Sequence, residues 1–115
     1  MGKKVLIVDD EEDIRNTVKD ILEKEGYKIK TAINGDDALD KIKEFKPDLV
    51  LLDIMMPGTP VKEIVKKIKE KVAFISVVKV TEAEKEDLIT DNVVGFIQKP
   101  FDIKDLIKKV KEFIK

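Results

Sequence analysis

Neither cysteine nor histidine occurs anywhere in this chain. The first absence removes disulfides, thiolate metal sites and thiol nucleophiles together. The second removes imidazole as a general base, and with it most hydrolase triads. Arginine, serine and glutamine each occur once, as Arg15, Ser76 and Gln98. No apolar stretch is long enough to span a bilayer, and Met1-Gly2-Lys3-Lys4 leads into an apolar run too short for a secretory leader. Nor is either sign of charge in excess. Lys+Arg number 23 against Asp+Glu 24, so no net field steers the chain to nucleic acid or to an anionic membrane. The expectation is a cytoplasmic protein with no direct nucleic-acid partner and no membrane partner.

What the chain does contain is a regular alternation. Its 115 residues, 43% hydrophobic and 41% charged, suit one domain over 1–115 with a real core and no room for a second module. Short aliphatic runs at Val5-Val8, Leu49-Leu52, Val72 to about Val78 and Val93-Ile97 read as buried parallel strands. A further strand around Tyr27-Ala32 alternates apolar and polar residues, as expected nearer a sheet edge. Between the strands lie helical spacings: Ile14, Val18, Ile21 and Leu22; Ala38, Leu39, Ile42 and Phe45; Val61, Ile64, Val65 and Ile68. A weakly apolar fourth helix follows the capping-box spacing of Thr81-Glu82-Ala83-Glu84 and contains Leu88 and Ile89. The last helix starts near Asp102 and carries Ile103, Leu106, Ile107, Val110, Phe113 and Ile114. Gly26 reads as a left-handed helix stop, Asn34-Gly35-Asp36 as a helix start, and Pro47 as a helix limit. Strand and helix alternating in this way predict a flavodoxin-like, doubly wound five-stranded parallel sheet, a (βα)5 three-layer α/β sandwich with right-handed crossovers.

In such sheets ligands bind at the carboxyl ends of the strands. The polar residues that follow the aliphatic runs are therefore the candidates: Asp9 and Asp10 after Val8, Asp53 after Leu52, and Lys99 before Pro100. Three carboxylates gathered at one rim would repel one another unless a cation sits among them, which points to a hard divalent metal bound through oxygen. Lysine supplies positive charge for a second anionic partner. An Asp-Asp pair after a strand is also a common turn or cap signal, and Lys99 is one lysine among many. Asp53 is harder to explain that way, because no helix starts directly after it.

Lys4-Val5-Leu6-Ile7-Val8-Asp9-Asp10-Glu11, Pro47-Asp48-Leu49-Val50-Leu51-Leu52-Asp53-Ile54-Met55-Met56-Pro57 and Lys99-Pro100-Phe101 resemble, in order and spacing, the receiver domains of two-component response regulators. The likeness covers nearly the whole chain and suits a stand-alone regulator of the chemotaxis or sporulation type. It implies Asp53 as phosphoacceptor, with Mg2+ bound by Asp10 and Asp53 directly, by Asp9 largely through water, and by the backbone carbonyl of Met55. Lys99 would pair with the phosphoryl oxygens, and the Lys99-Pro100 bond is expected to be cis. A carboxylate nucleophile is already deprotonated at neutral pH, so phosphoryl transfer to it needs no histidine in this chain.

The resemblance also implies a switch hydroxyl at the end of the fourth strand and an aromatic residue on the fifth. Ser76 matches the pattern of an aliphatic run ending in a hydroxyl, whereas counting back from Lys99 lands on Val77; the former is favoured. Phe96 holds the aromatic position, or is simply core. Thr59-Pro60-Val61 departs from the family's Met-Asp-Gly, and the connection Glu70-Lys71 is short. Met55 and Val78 place apolar side chains where polar ones often orient attacking water, which implies a long-lived aspartyl phosphate. The implied partners are a sensor histidine kinase or histidine phosphotransfer protein upstream and a protein target downstream. The chain is then no turnover enzyme, self-catalysing only phosphotransfer and slow autodephosphorylation. Two rivals are a phosphorylation-independent interaction module on the same fold, and an enzyme or cofactor carrier such as a haloacid-dehalogenase-type phosphatase or a flavodoxin. The second lacks support: no acid stands two residues after Asp53, and the first strand leads into acids rather than a phosphate-cradling loop.

Overall fold

Leucine, isoleucine and valine without interruption leave a strand nowhere to sit except between two apolar layers. A computed structural model describes residues 2–54, 58–76 and 88–115 and places the runs accordingly. The strands are β1 (Lys4–Val8), β2 (Lys28–Ala32), β3 (Leu49–Asp53), β4 (Val72–Ser76) and β5 (Val93–Gln98). They form one sheet in the order β2-β1-β3-β4-β5, and every pair is parallel. Helices α1 (Glu12–Lys24), α2 (Gly35–Phe45), α3 (Val61–Lys66) and α4 (Ile103–Ile114) cover the faces. This is the flavodoxin-like, doubly wound α/β fold.

Because successive side chains on a strand point to opposite faces, β1 and β3 each feed two cores. Leu6, Val8, Val50, Leu52 and Phe74 meet Ala38 and Ile42 of α2 and Ile64 and Val65 of α3. Val5, Ile7, Leu49, Leu51 and Ile75 meet Val18 and Leu22 of α1 and Leu106 and Val110 of α4. Each large aliphatic side chain buried this way contributes about 1.5–3 kcal/mol relative to exposure. β2 stands at an edge, as its alternating sequence predicts, and only Ala32 of its five residues is buried.

Local signals set the ends of the helices. Asn34 caps α2, its side chain accepting from the Asp37 N–H at 2.8 Å, while the Asp37 carboxylate accepts from Ile33 N–H at 3.0 Å. Gly26 stops the chain after α1 with φ +92°, as expected. Past α2 the left-handed position falls instead on Lys46, with φ 51°, directly before Pro47. Asp102 caps α4, accepting from Lys104 N–H at 3.0 Å. At the other end of α4, Lys71 Nζ donates to the carbonyls of Phe113 at 3.3 Å and Lys115 at 2.7 Å, which ties the start of β4 to that helix.

Several expectations need correction. α3 has six residues and stops before Ile68, which is nevertheless buried. The short connection to β4 is held by Asn92, whose side-chain amide donates to the carbonyls of Ile68 and Glu70 at 2.7 Å each. Ile103 and Ile89, which belong to the apolar spacing of their expected helices, are both 57% exposed. Ile103 is the first residue of α4, directly after its cap Asp102. Leu88 is buried, but Thr81 and the rest of the expected fourth helix lie outside the described residues, as do Val77, Val78 and Met55. Among the described residues no helix is long and apolar enough to cross a membrane.

Candidate functional site

Parallel strands all deliver their carboxyl ends to one rim, so sequence position decides what gathers there. β1 connects onward to β2 on one side and pairs with β3 on the other; this reversal is the switch point at which doubly wound sheets bind ligands. Asp9 follows β1, Asp53 ends β3, Ser76 ends β4 and Lys99 follows β5. The sheet order therefore brings together residues separated by as many as 90 positions.

Asp9 is held from several directions. Its Oδ1 accepts from Glu11 N–H at 2.9 Å, its Oδ2 accepts from Lys99 Nζ at 2.7 Å, and its backbone carbonyl accepts from Arg15 Nη1 at 2.8 Å. Lys99 Nζ also lies 3.6 Å from Asp53 Oδ2. Asp9, Asp53 and Lys99 are buried at 2%, 4% and 8% exposure, whereas Asp10 is exposed. Ions so far from water need one another, because an unpaired buried charge is strongly unfavourable. Burial alone would lower the pKa of Lys99, but the hydrogen bond to Asp9 and the charges of Asp53, Asp9 and Glu11 outweigh it. The ammonium is held above its usual range.

Carboxylate oxygens from Asp9, Asp10 and Asp53 all lie within 4.8 Å of one another, a spacing that could hold a metal ion. The donors are all oxygen, which suits a hard cation such as Mg2+ over a softer metal. Three formal negative charges against the one of Lys99 leave two, the charge of a divalent ion. Met55, expected to add a backbone carbonyl, lies outside the described residues.

Of the remaining candidates, Ser76 ends β4 at this rim and Phe96 lies two residues before the end of β5. Ser76 is 4% exposed and opposes Gln98 across the β4–β5 ladder. Its carbonyl accepts from Lys99 N–H at 2.7 Å. Phe96 is half-buried, its ring centroid 5.3 Å from that of Phe74. The Lys99-Pro100 bond is cis, as expected. Arg15, the single arginine of a lysine-rich chain, is a residue of this rim that composition alone does not point to. Its place on the first turn of α1, six residues past Asp9, was the signal that it could reach back to the strand end.

Such a rim on such a sheet defines an α/β domain of the CheY-like class, with an acidic cluster competent for metal. A family model described as response regulator receiver domain matches residues 5–111. Among solved structures, the CheY-like receiver domain protein of Methanospirillum hungatei is 29% identical, with a TM-score of 0.90 over 99% of this chain and 94% of its own. The chemotaxis response regulator CheY4 of Vibrio cholerae is 27% identical, with a TM-score of 0.89 over 98% and 99%. The response regulator TrrA of Thermotoga maritima, solved in complex with Mg2+ and BeF, is 35% identical, with a TM-score of 0.82 over 96% and 98%. The chain belongs to the response regulator receiver domain family of two-component systems.

Proposed function

We propose that this domain takes a phosphoryl group onto Asp53 from a phosphohistidine of a sensor histidine kinase or phosphotransfer protein, and signals to a downstream protein by a change of shape. The observation that carries the reading is the ammonium of Lys99 lying between Asp9 and Asp53 at the switch point, 2.7 Å from one and 3.6 Å from the other. The TrrA complex supports it, since beryllofluoride mimics a phosphoryl group and TrrA is 35% identical to this chain.

In the transfer, a carboxylate oxygen of Asp53 forms a bond to phosphorus as the phosphorus–nitrogen bond of the donor breaks. The electron pair leaves with the imidazole, and the product is an acyl phosphate. Asp53 needs no base, because a carboxylate is ionised at neutral pH. Lys99 moves its charge toward the arriving phosphoryl oxygens, and such preorganised charge is the main catalytic resource in phosphoryl transfer. Mg2+ would be held by Asp10 and Asp53, by Asp9 largely through water and by the Met55 carbonyl, and would supply neutralisation of the phosphoryl charge. Ser76 accepts the role of switch hydroxyl, its place at the end of β4 beside Lys99 favouring it over Val77. Phe96 is the aromatic residue that responds. The protein acts as a signalling component rather than a turnover enzyme, with self-catalysed phosphotransfer, slow autodephosphorylation and a cytoplasmic location.

Intact-mass measurement after incubation with acetyl phosphate and Mg2+, beside an Asp53→Ala variant, tests the reading. The expected result is one added phosphoryl group on the native protein and none on the variant. No addition to either would favour a phosphorylation-independent interaction module, and addition to both would move the acceptor elsewhere.

A further inference from the structure

The structure assigns Asn34-Gly35 as a site of spontaneous covalent modification: deamidation through a cyclic imide, held in check by the first turn of α2. Asn16 precedes Thr17 and Asn92 precedes Val93, both β-branched and crowded around the backbone nitrogen. Asn34 instead precedes glycine, which offers an unhindered amide nitrogen on a freely turning backbone. In the reaction the deprotonated nitrogen of Gly35 bonds to Cγ of Asn34, the side-chain carbon–nitrogen bond breaks, and ammonia leaves with the proton. Water then opens the imide ring at either carbonyl. One opening leaves aspartate at this position, and the other leaves isoaspartate, whose main chain runs through Cβ.

The fold needs both members of the pair. A Cβ at position 35 would lie 2.6 Å from Ile64 Cγ1 and 2.9 Å from its Cδ1, so a larger residue has no room there. Asn34 caps α2 through the 2.8 Å bond from Asp37 N–H. The same contacts restrain the reaction. Ring closure requires Cγ of Asn34 to swing onto the Gly35 nitrogen, whereas the cap bond holds the side chain toward Asp37. The Asp37 carboxylate fastens the other side of the turn, accepting from Ile33 N–H at 3.0 Å, and Gly35 is buried against Ile64. Closure therefore waits for local opening of this turn. The two products differ in consequence. Aspartate can cap the helix as asparagine does. Isoaspartate adds a methylene to the main chain where Gly35 has no spare room, two residues past Ala32, whose carbonyl accepts from Asp9 N–H at 3.2 Å.

Peptide mapping by mass spectrometry after storage in mildly alkaline buffer tests the assignment, with an isoaspartyl methyltransferase as probe for the isoaspartyl product. The samples are the folded native protein, the native protein held in urea, and Asp37→Ala, which loses the bond to Ile33 N–H. Exchange of the side-chain nitrogen for oxygen should fall on Asn34 before Asn16 or Asn92. It should run at least about tenfold faster in urea than in the folded protein. In Asp37→Ala it should run about fivefold faster than in the native protein, the factor expected for a weakened cap. Asn34→Ser keeps a capping hydroxyl but has no amide, so its methyl acceptance should fall to background. Modification first at Asn16 or Asn92, or undiminished methyl acceptance by Asn34→Ser, overturns the site. Equal rates in the folded and urea-held native protein overturn the restraint by the fold, and this comparison stands whether or not Asp37→Ala folds. A folded Asp37→Ala that reacts no faster than the native protein overturns the role of the first turn.

Discussion

The backbone N–H of Lys99 donates to the carbonyl of Ser76 at 2.7 Å, carrying the β4–β5 ladder past its last register pair, Ser76 with Gln98. The only serine of the chain is thus tied at the rim directly to the lysine that faces both buried aspartates. The bond runs through the backbone, so replacing the Ser76 side chain should leave Lys99 in place and separate chemistry from signalling. Ser76→Ala is expected to accept a phosphoryl group from acetyl phosphate at a rate within about tenfold of the native protein, the size of one lost hydrogen bond of roughly 1 kcal/mol. The change in Phe96 ring resonances on phosphorylation should largely disappear. A full Phe96 response in Ser76→Ala would remove Ser76 from the switch.

Stability at alkaline pH should depend on Lys99. Its pKa in the folded protein is raised above the ordinary 10.5, so its contribution is fully present below that value and is lost as pH climbs through the higher folded one. Lys99→Met should cost about 3 kcal/mol at neutral pH, because it leaves buried carboxylates without their ammonium. Urea midpoints of the two proteins should then run parallel from neutral pH to about 10 and converge above it. Comparing the pair cancels the titration of the other lysines. Convergence beginning near pH 8 would contradict a raised pKa.

Asp37 shapes the opposite limb. Burial works to raise its pKa, but hydrogen bonds from Ile33 N–H and Lys41, with the charges of Lys41 and Arg15, prevail and lower it below 3.8. Its contribution is therefore complete above the unfolded value and fades as pH falls through the lower folded one. Asp37→Asn should lose about 1 kcal/mol at pH 7, the worth of a hydrogen bond to a charged acceptor that also caps a helix. The difference from the native protein should narrow below about pH 4. Acid titration followed by circular dichroism would show it, and a difference constant down to pH 2 would exclude the assignment.

Strand positions and the cluster they carry were readable in the chain because each depends on local pattern alone. An aliphatic run followed by Asp9, Asp53 or Lys99 fixes both the strand and the side chain it presents at the rim. Gly26 and Asn34 were readable for the same reason, since a left-handed stop and a helix cap are chosen by residue type. What stayed hidden depends on partners far away in sequence. That Lys99 would lie closer to Asp9 than to Asp53 follows from rim geometry, not from spacing. The left-handed Lys46 follows from the need to leave α2 just before Pro47, at a residue type that rarely adopts that conformation. The early end of α3 was hidden too, because Ile68 continues the apolar period while the backbone has already left the helix.

The residue that holds that early end is Asn92, and it gives the most direct test of the short connection. Its two amide hydrogens satisfy the carbonyls of Ile68 and Glu70, its side-chain oxygen accepts from the Thr90 hydroxyl, and its backbone carbonyl accepts from Val72 N–H at 2.9 Å. A single side chain thus joins the exit of α3 to the turn before β5, while its backbone joins that turn to the start of β4. Asn92→Ala removes both amide bonds at roughly 1 kcal/mol each and should lower stability by about 2 kcal/mol in urea unfolding. Asn92→Asp is nearly the same size but turns a donor into a charged acceptor facing two carbonyls, and it should cost more than Asn92→Ala. That order separates hydrogen bonding from packing, because a packing role would make the isosteric aspartate the milder change. Phosphorylation of folded Asn92→Ala by acetyl phosphate should stay near the native rate, since the substitution lies at the amino ends of β4 and β5 and Asp53 lies at the carboxyl rim.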